Sequence, residues 1–484
     1  MSKRLKPSQF NVATLDEAGN LIILNTFSGK LCRVAQRHAD EMQTFLKGGQ
    51  AVPETINPVF IEKGYFVDAL TDELALYKSR CFETYDTPIL EISVLPTHKC
   101  NCRCVYCYER FQGGMMSEEI QDALVRFAKD KLQTCSGLHI SWFGGEPLVG
   151  MDIIRNLSTR LMSLCKTMHK AYSSSITTNG TLLTLETFAE LQKYRVIFYQ
   201  ITIDGTKSVH DLQRPLAGEG SSYDMIMENL KAIKSARRGP TFHILLRINL
   251  TKKNMDELEP FLLELDKNFG GDRRFNLNIN IAGNWGGDRV DAFKENLFDD
   301  DTDMDRTRDQ INRIIQENHL SLQINGFGSG IKARIGSSTG CYVNKKNFYT
   351  VDPTGAIFKC EQEERNLFPP LGQLATYKGL NDIKAEQAKW DSVIFPELPE
   401  KCKNCAFIPV GCWGVTVCPL VKYTKKYGDP TKNDQPLCPE HPEQTGSGNE
   451  PHCHSGVAHI DEIMREMVKD SPQPIIEDIY VTGE

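Results

Sequence analysis

Ile89-Leu-Glu-Ile-Ser-Val-Leu95 is followed, after Pro96-Thr-His98, by Lys99-Cys-Asn-Cys-Arg-Cys-Val-Tyr-Cys-Tyr-Glu-Arg110. The first run is short and mostly apolar and reads as a buried strand; the second reads as the loop that leaves it. Cys100, Cys104 and Cys107 stand in a C-x3-C-x2-C arrangement on that loop. Three thiolates so placed can hold three irons of a cubane [4Fe–4S] cluster and leave the fourth iron without a protein ligand, open for chemistry. Cys102 lies in the same loop but off this spacing.

The surrounding composition fits that reading. At 484 residues the chain is too long for one ordinary core, so two or three domains are expected. The net charge of −7, with no basic block, argues against a nucleic-acid surface. No apolar stretch of about 18 residues is present to span a membrane, and the start Met1-Ser-Lys-Arg-Leu-Lys-Pro-Ser-Gln-Phe10 lacks the apolar core of a signal peptide. We read the chain as cytoplasmic. Its 16 cysteines are then better explained as metal ligands than as disulfides, because the cytosol keeps thiols reduced. Beyond the first group they gather at Cys341, Cys360, Cys402, Cys405, Cys412, Cys418 and Cys438.

From Ile89 to about Leu320 strands and helices alternate, with strands expected at 89–95, 138–143, 173–178, 198–203, 242–250 and 275–283. Successive βα units imply a parallel sheet with right-handed crossovers, and the length suits a partial (β/α)6 TIM-like barrel. Such sheets place ligands at the carboxyl ends of their strands. There the sequence has Gly144-Gly-Glu-Pro147, Thr177-Thr-Asn-Gly180, Gln200-Ile-Thr-Ile-Asp-Gly205 and His210-Asp-Leu-Gln-Arg-Pro215. Each alone is an ordinary turn. Gly144 and Gly145 allow close backbone approach to a ligand, Glu146 can accept from a cationic group, and Arg214 can pair with a carboxylate.

Residues 1–85 read as a separate winged-helix-like module, with a strand pair around Gly29, short helices at 38–46, 57–62 and 71–79, and Thr71 as a plausible cap. The barrel is assigned to 86–320, a Cys-rich region to 321–456, and a helix and tail to 457–484. That helix, 459–469, is expected to pack on the Cys-rich region. The acidic run Asp299–Asp305 reads as a solvated loop or helix start, and Asn284-Trp-Gly-Gly287 as a stretch that could reach the site.

These motifs together resemble the radical S-adenosylmethionine (radical SAM) enzymes. The resemblance implies that Cys100, Cys104 and Cys107 bind the SAM cluster and that Gly144, Gly145 and Glu146 meet the methionine ammonium. It also implies that Thr202 and Arg214 hold the carboxylate and ribose side and that Tyr106 lies against the adenine, with Asn179 and Asp204 as further SAM-site residues. In that family SAM is cleaved to a 5′-deoxyadenosyl radical. The C-terminal spacing resembles a SPASM domain: thirteen residues separate Cys341 from Gly355, and Cys360 follows, although the later gaps of six and five depart from the pattern. By resemblance two auxiliary [4Fe–4S] clusters follow, three clusters in all. Cys402, Cys405, Cys412 and Cys438 would hold one, and Cys341, Cys360 and Cys418 the other. A fourth ligand for the second falls at Ile335, which cannot serve; Cys453 or a substrate group would complete it.

The implied function is a peptide maturase, of the kind that modifies ribosomally made precursor peptides (RiPPs). It would abstract a hydrogen from a precursor residue and install an intramolecular crosslink, a thioether first and another C–C or C–O bond second. The N-terminal module would bind the leader by strand addition, and flavodoxin or ferredoxin would supply electrons. The alternatives are a sulfatase-maturating type that oxidises Cys or Ser to formylglycine, and a non-catalytic protein holding zinc in both Cys groups.

Overall fold

The computed structural model describes residues 4–109, 111, 114–236, 241–283, 288–298, 301–327, 335–336, 341–361, 370–395, 403–412, 460–470 and 473–481. In chain order the strands are β1 (Leu5–Pro7), β2 (Asn11–Leu15), β3 (Leu21–Asn25), β4 (Leu31–Val34), β5 (Phe66–Asp68), β6 (Ile89–Val94), β7 (Gly137–Trp142) and β8 (Ala171–Thr178). They continue with β9 (Val196–Thr202), β10 (His243–Leu250), β11 (Phe275–Ile281), β12 (Gln323–Phe327), β13 (Phe348–Val351), β14 (Ala356–Phe358), β15 (Gly372–Gln373) and β16 (Ile475–Ile476).

The strands β6 to β12 lie side by side in chain order and run parallel. All six strands expected from the alternation are present, and β12 adds a further one beyond the expected (β/α)6. β12 lies past the boundary drawn at 320 and still pairs with β11, so the sheet outruns that boundary. On the other side β13 joins β6 in parallel, Phe348 opposite Glu91 and Val351 opposite Val94, and β14 and β15 follow antiparallel. The result is a 10-stranded, mostly parallel sheet whose end strands β12 and β15 do not pair with each other among the described residues.

The two faces of this sheet differ because side chains alternate along a strand. On β10, Ile244, Leu246, Ile248 and Leu250 are buried, each at 1% exposure or less. They share a core with Leu157 and Leu161 of the helix Met151–Thr167 and Phe261 and Leu265 of the helix Leu258–Phe269. Each such side chain contributes roughly 1.5–3 kcal/mol of burial. The opposite face is polar: Glu91 aligns with His139 and Ser173, and Thr202 with Arg247 and Asn278. His139 places its ring between Ser173 Oγ at 2.9 Å and Ser175 Oγ at 3.0 Å. A parallel sheet covered on both faces is usually apolar on both; this one keeps one face for polar contents.

The N-terminal strands form separate small sheets, β1 with β5, and β2-β3-β4 extended by β16. Every residue of β3 is buried. Leu21 and Ile23 pack with Met42 and Phe45 of the helix Ala39–Leu46, while Ile22 and Leu24 pack with Ile460 and Met464 of the helix Ile460–Asp470. That C-terminal helix therefore covers the second face of the N-terminal sheet and also meets Ile335 and Phe407 of the Cys-rich region, on which it was expected to pack. A strand that is apolar on both sides needs a cover on both. The helix Glu73–Tyr85 begins one residue later than its predicted cap: the Asp72 side chain, not Thr71, accepts from Ala75 N–H.

Candidate active site

The loop after β6 is held by backbone contacts to its neighbours. Arg103 N–H donates to Pro215 O at 2.7 Å, Val105 N–H to Gln213 O at 2.9 Å, and Glu146 N–H to Lys99 O at 2.9 Å. The Gly144-Gly145 turn after β7 packs directly beneath it. A Cβ on Gly145 would lie 2.5 Å from His98 O and 2.6 Å from Lys99 O, and Gly144 has φ +104. The structure thus gives this glycine pair a role against the cysteine loop itself, beyond the ligand approach expected of it.

Glu146 is fully buried. Its carboxylate accepts from Leu148 N–H at 3.0 Å, Thr178 Oγ1 at 2.7 Å and Asn179 N–H at 2.7 Å. Burial outweighs these bonds and raises its pKa to about 7. Asn179 passes the connection onward, donating to Asn101 Oδ1 at 2.8 Å and lying 3.9 Å from Cys100 Sγ. The turns after β7 and β8 are thereby tied to the first cysteine.

The turn after β9 supplies the other wall. Asp204 is buried and takes hydrogen bonds from the Tyr106 hydroxyl and from Asn249 N–H. Arg214 donates from Nη1 to Tyr106 Oη at 2.7 Å and lies 3.7 Å from Asp204. Burial works against the Arg214 charge, but Cys104, Tyr106 and Asp204 outweigh it. Arg214 Nε is buried without a partner among the described residues, a donor free to meet an anion. Thr202 closes β9 opposite Arg247. All the residues expected at the SAM site, from Tyr106 to Arg214, therefore converge at the carboxyl ends of β6 to β9.

The three thiols suit an iron cluster. Hydrogen bonding from Cys102, with Arg214 and Asn179 nearby, brings Cys100 down to about 6 against the effect of burial. Burial pushes Cys104 up and Cys107 up to about 12. Among the described residues no three metal-binding side chains converge on one ion position.

Of the second cysteine group, Cys341 precedes the turn Tyr342–Asn344, Cys360 follows β14, and Cys405 lies partly buried near Ile394 and Ile408. Cys412 ends the turn Ile408–Cys412. Cys402, Cys418, Cys438 and Cys453 lie outside the described residues, as do Asn284-Trp-Gly-Gly287. Tyr342 is 44% exposed overall, but its hydroxyl is tucked against Glu361 at 2.6 Å. Burial there, with Glu361, Cys360 and Cys341, raises it above the usual phenol range. Tyr108 is raised likewise by burial, Glu109, Glu361, Cys107 and Cys360. One tyrosine thus stands within electrostatic reach of both cysteine groups.

Sequence reading missed Arg247, Asn249, Tyr342 and Glu361. Arg247 lies within electrostatic range of Tyr106, Tyr108, Asp204 and Tyr342, burial lowering its basicity, and donates from Nε to Asn249 Oδ1 at 3.0 Å. The available signal was two polar residues at alternate positions of an otherwise apolar strand.

A mostly parallel α/β sheet with a three-cysteine loop and glycine turn at its carboxyl ends defines the radical SAM class, and residues 94–265 match the family model of the Radical SAM superfamily. The match is confined to that region. Among relatives, a cysteine-type anaerobic sulfatase-maturating enzyme of Clostridium novyi (strain NT) is 31% identical over 181 residues, 35% of this chain and 46% of that protein. An Fe-coproporphyrin III synthase of Methanosarcina barkeri is 24% identical over 173 residues, 35% of this chain and 40% of that one. The chain thus spans about half or less of the length of these two curated relatives. Among solved structures, native anSMEcpe with bound AdoMet and Kp18Cys peptide matches with TM-score 0.51 at 18% identity, covering 67% of this chain and 88% of that one. Streptococcus suis SuiB bound to precursor peptide SuiA matches with TM-score 0.51 at 13% identity, covering 86% of this chain and 96% of that one. At these identities the likeness establishes a shared fold. No helix among the described residues is long and apolar enough to cross a membrane.

Proposed function

We propose that this chain is a radical SAM peptide maturase of the SPASM type. The cluster with SAM supplies a radical that abstracts hydrogen; the chain's residues hold SAM, the substrate and the products of the next step. Cys100, Cys104 and Cys107 hold the first cluster. Gly144, Gly145, Glu146, Asn179, Thr202, Asp204, Arg214 and Tyr106 form the SAM site, with Arg214 Nε as the free donor for its carboxylate. Cys341, Cys360 and Cys418, and Cys402, Cys405, Cys412 and Cys438, hold two auxiliary clusters in a SPASM domain. The winged-helix-like N-terminal unit recognises the precursor's leader, and flavodoxin or ferredoxin supplies electrons.

The observation that supports this reading is the meeting of the Cys100–Cys107 loop with the turns after β7, β8 and β9, Asn179 lying 3.9 Å from Cys100 Sγ and Arg214 donating to Tyr106 at 2.7 Å. A substrate bound at this end of the sheet would receive the radical from the first cluster and SAM, and an auxiliary cluster would accept the electron. In thioether formation a hydrogen atom leaves carbon, the thiol loses a proton, and one electron passes to the acceptor as the C–S bond forms. Reconstituted enzyme with reductant, SAM and a precursor peptide that binds the N-terminal unit should give a product lighter by two hydrogens. A precursor left unchanged in mass rejects the proposal.

The match to a sulfatase-maturating enzyme favours a second reading, oxidation of Cys or Ser to formylglycine. A sulfatase-derived peptide without a leader discriminates the two: its turnover, with the precursor untouched, selects this alternative.

A further inference from the structure

The last described segment, residues 473–481, lies across the N-terminal unit 440 residues from its contacts in sequence. β16 runs parallel to β4, Ile475 opposite Arg33 and Ile476 opposite Val34. Ala35 N–H donates to Ile476 O at 3.1 Å, Asn57 N–H to Ile479 O at 2.8 Å, and Val481 N–H to Thr55 O at 2.8 Å. The segment is therefore an added strand in a groove between β4 and the chain around Asn57.

Its side chains sort by chemistry. Ile479 is fully buried with Leu21, Val34, Met42, Phe45 and Phe60. Arg37 Nη2 donates to Glu477 O at 2.7 Å and to Asp478 Oδ1 at 3.2 Å, and the Tyr480 hydroxyl donates to Glu41. The Arg37–Asp478 pair is 57% and 63% exposed, and such pairs contribute little. Ile479 in the core, Ile476 and Tyr480 packed against it, and a few backbone bonds hold the segment, with no buried ion pair among its described contacts. The opposite sheet edge, β2, is crossed by Arg465, whose Nε donates to Leu15 O at 3.0 Å.

We propose that this groove is where the precursor peptide docks, and that the C-terminal segment is an internal competitor which departs as the precursor enters. The inference rests on the reading of the N-terminal unit as the precursor-recognition element. It specifies the partner's chemistry: an extended segment with two apolar anchors flanking two acidic residues and an aromatic next, the pattern of Ile476-Glu-Asp-Ile-Tyr480. Main-chain bonds to a sheet edge give affinity, and the pocket filled by Ile479 gives specificity.

The probe is an isotope-labelled synthetic peptide with the sequence of residues 473–481. A tethered copy competes at an effective concentration in the millimolar range, so full-length Ile479→Asp should bind the probe roughly a hundredfold more tightly than the native chain. Adding Arg37→Glu to that variant should weaken binding again. In the native chain, where no substitution disturbs folding, millimolar probe should accelerate hydrogen exchange at the Val481 amide. Equal affinity of native chain and variant, or unchanged Val481 exchange at saturating probe, overturns the inference. Precursor modified by the native enzyme with unchanged Val481 exchange overturns only this inference and leaves the maturase reading standing. Probe binding as described, with no precursor modified, supports the groove and removes the maturase reading.

Discussion

The Arg214 guanidinium reaches the Tyr106 hydroxyl at 2.7 Å, joining the cysteine loop after β6 to the helix end after β9. Asp204 and Asn249 complete the group around that hydroxyl. Removing the hydroxyl alone leaves several buried partners unsatisfied. Tyr106→Phe should therefore lower stability by about 1–3 kcal/mol, measured by denaturant unfolding of the cluster-free protein, and should weaken SAM binding in calorimetry.

Gly145 tests the close approach of two turns. Gly145→Ala forces a Cβ to within 2.6 Å of two backbone carbonyls that cannot swing aside. Iron content after reconstitution should fall by about one cubane, or about four irons. Gly218→Ala, with nothing within 4 Å of the added carbon, should keep native iron content.

The three-cluster proposal has its own measurement. Reconstituted native chain should carry about twelve irons with matching sulfide, and Cys100→Ala and Cys360→Ala should each lose about four. Zinc in place of iron, with no visible absorption, would eliminate the enzyme reading.

His210 sets an acid limit on the barrel. It is fully buried, and its Nδ1 accepts from Asp204 N–H at 3.1 Å, which requires a neutral ring. Burial, with Arg214 nearby, pushes it down to about 3 from 6.5. Between those values the unfolded chain binds the proton and the folded one does not, so stability is full above about pH 6.5 and falls as pH drops toward 3. The loss should be on the order of a few kcal/mol. His210→Asn, which keeps an acceptor and cannot titrate, should flatten that part of the profile of unfolding midpoint against pH.

Met464 is fully exposed to the apolar second face of β3 and hidden from water. Met464→Ala should destabilise the N-terminal unit by about 2–5 kcal/mol, seen as faster hydrogen exchange across β2 to β4 than across β6 to β11.

Local rules sufficed for much of this protein. The alternation of apolar residues set strands β6 to β11, because one buried face imposes a period of two on each. Ser117, whose side chain accepts from Ile120 N–H, marked its helix start by capping chemistry. The spacing of Cys100, Cys104 and Cys107 on one short loop made them the donor set expected of the first cluster. Tertiary structure decided what depends on which distant surfaces meet. Arg247 and Asn249 became site residues through the direction of the β10 face, and Gly145 through the approach of one turn beneath another. β13 found β6, and β16 found β4, because an unpaired sheet edge accepts any strand of suitable geometry, and the sequence records no address for that pairing. Ile479 carries no local mark that it will fill the N-terminal core; only the folded chain brings the pocket and its occupant together.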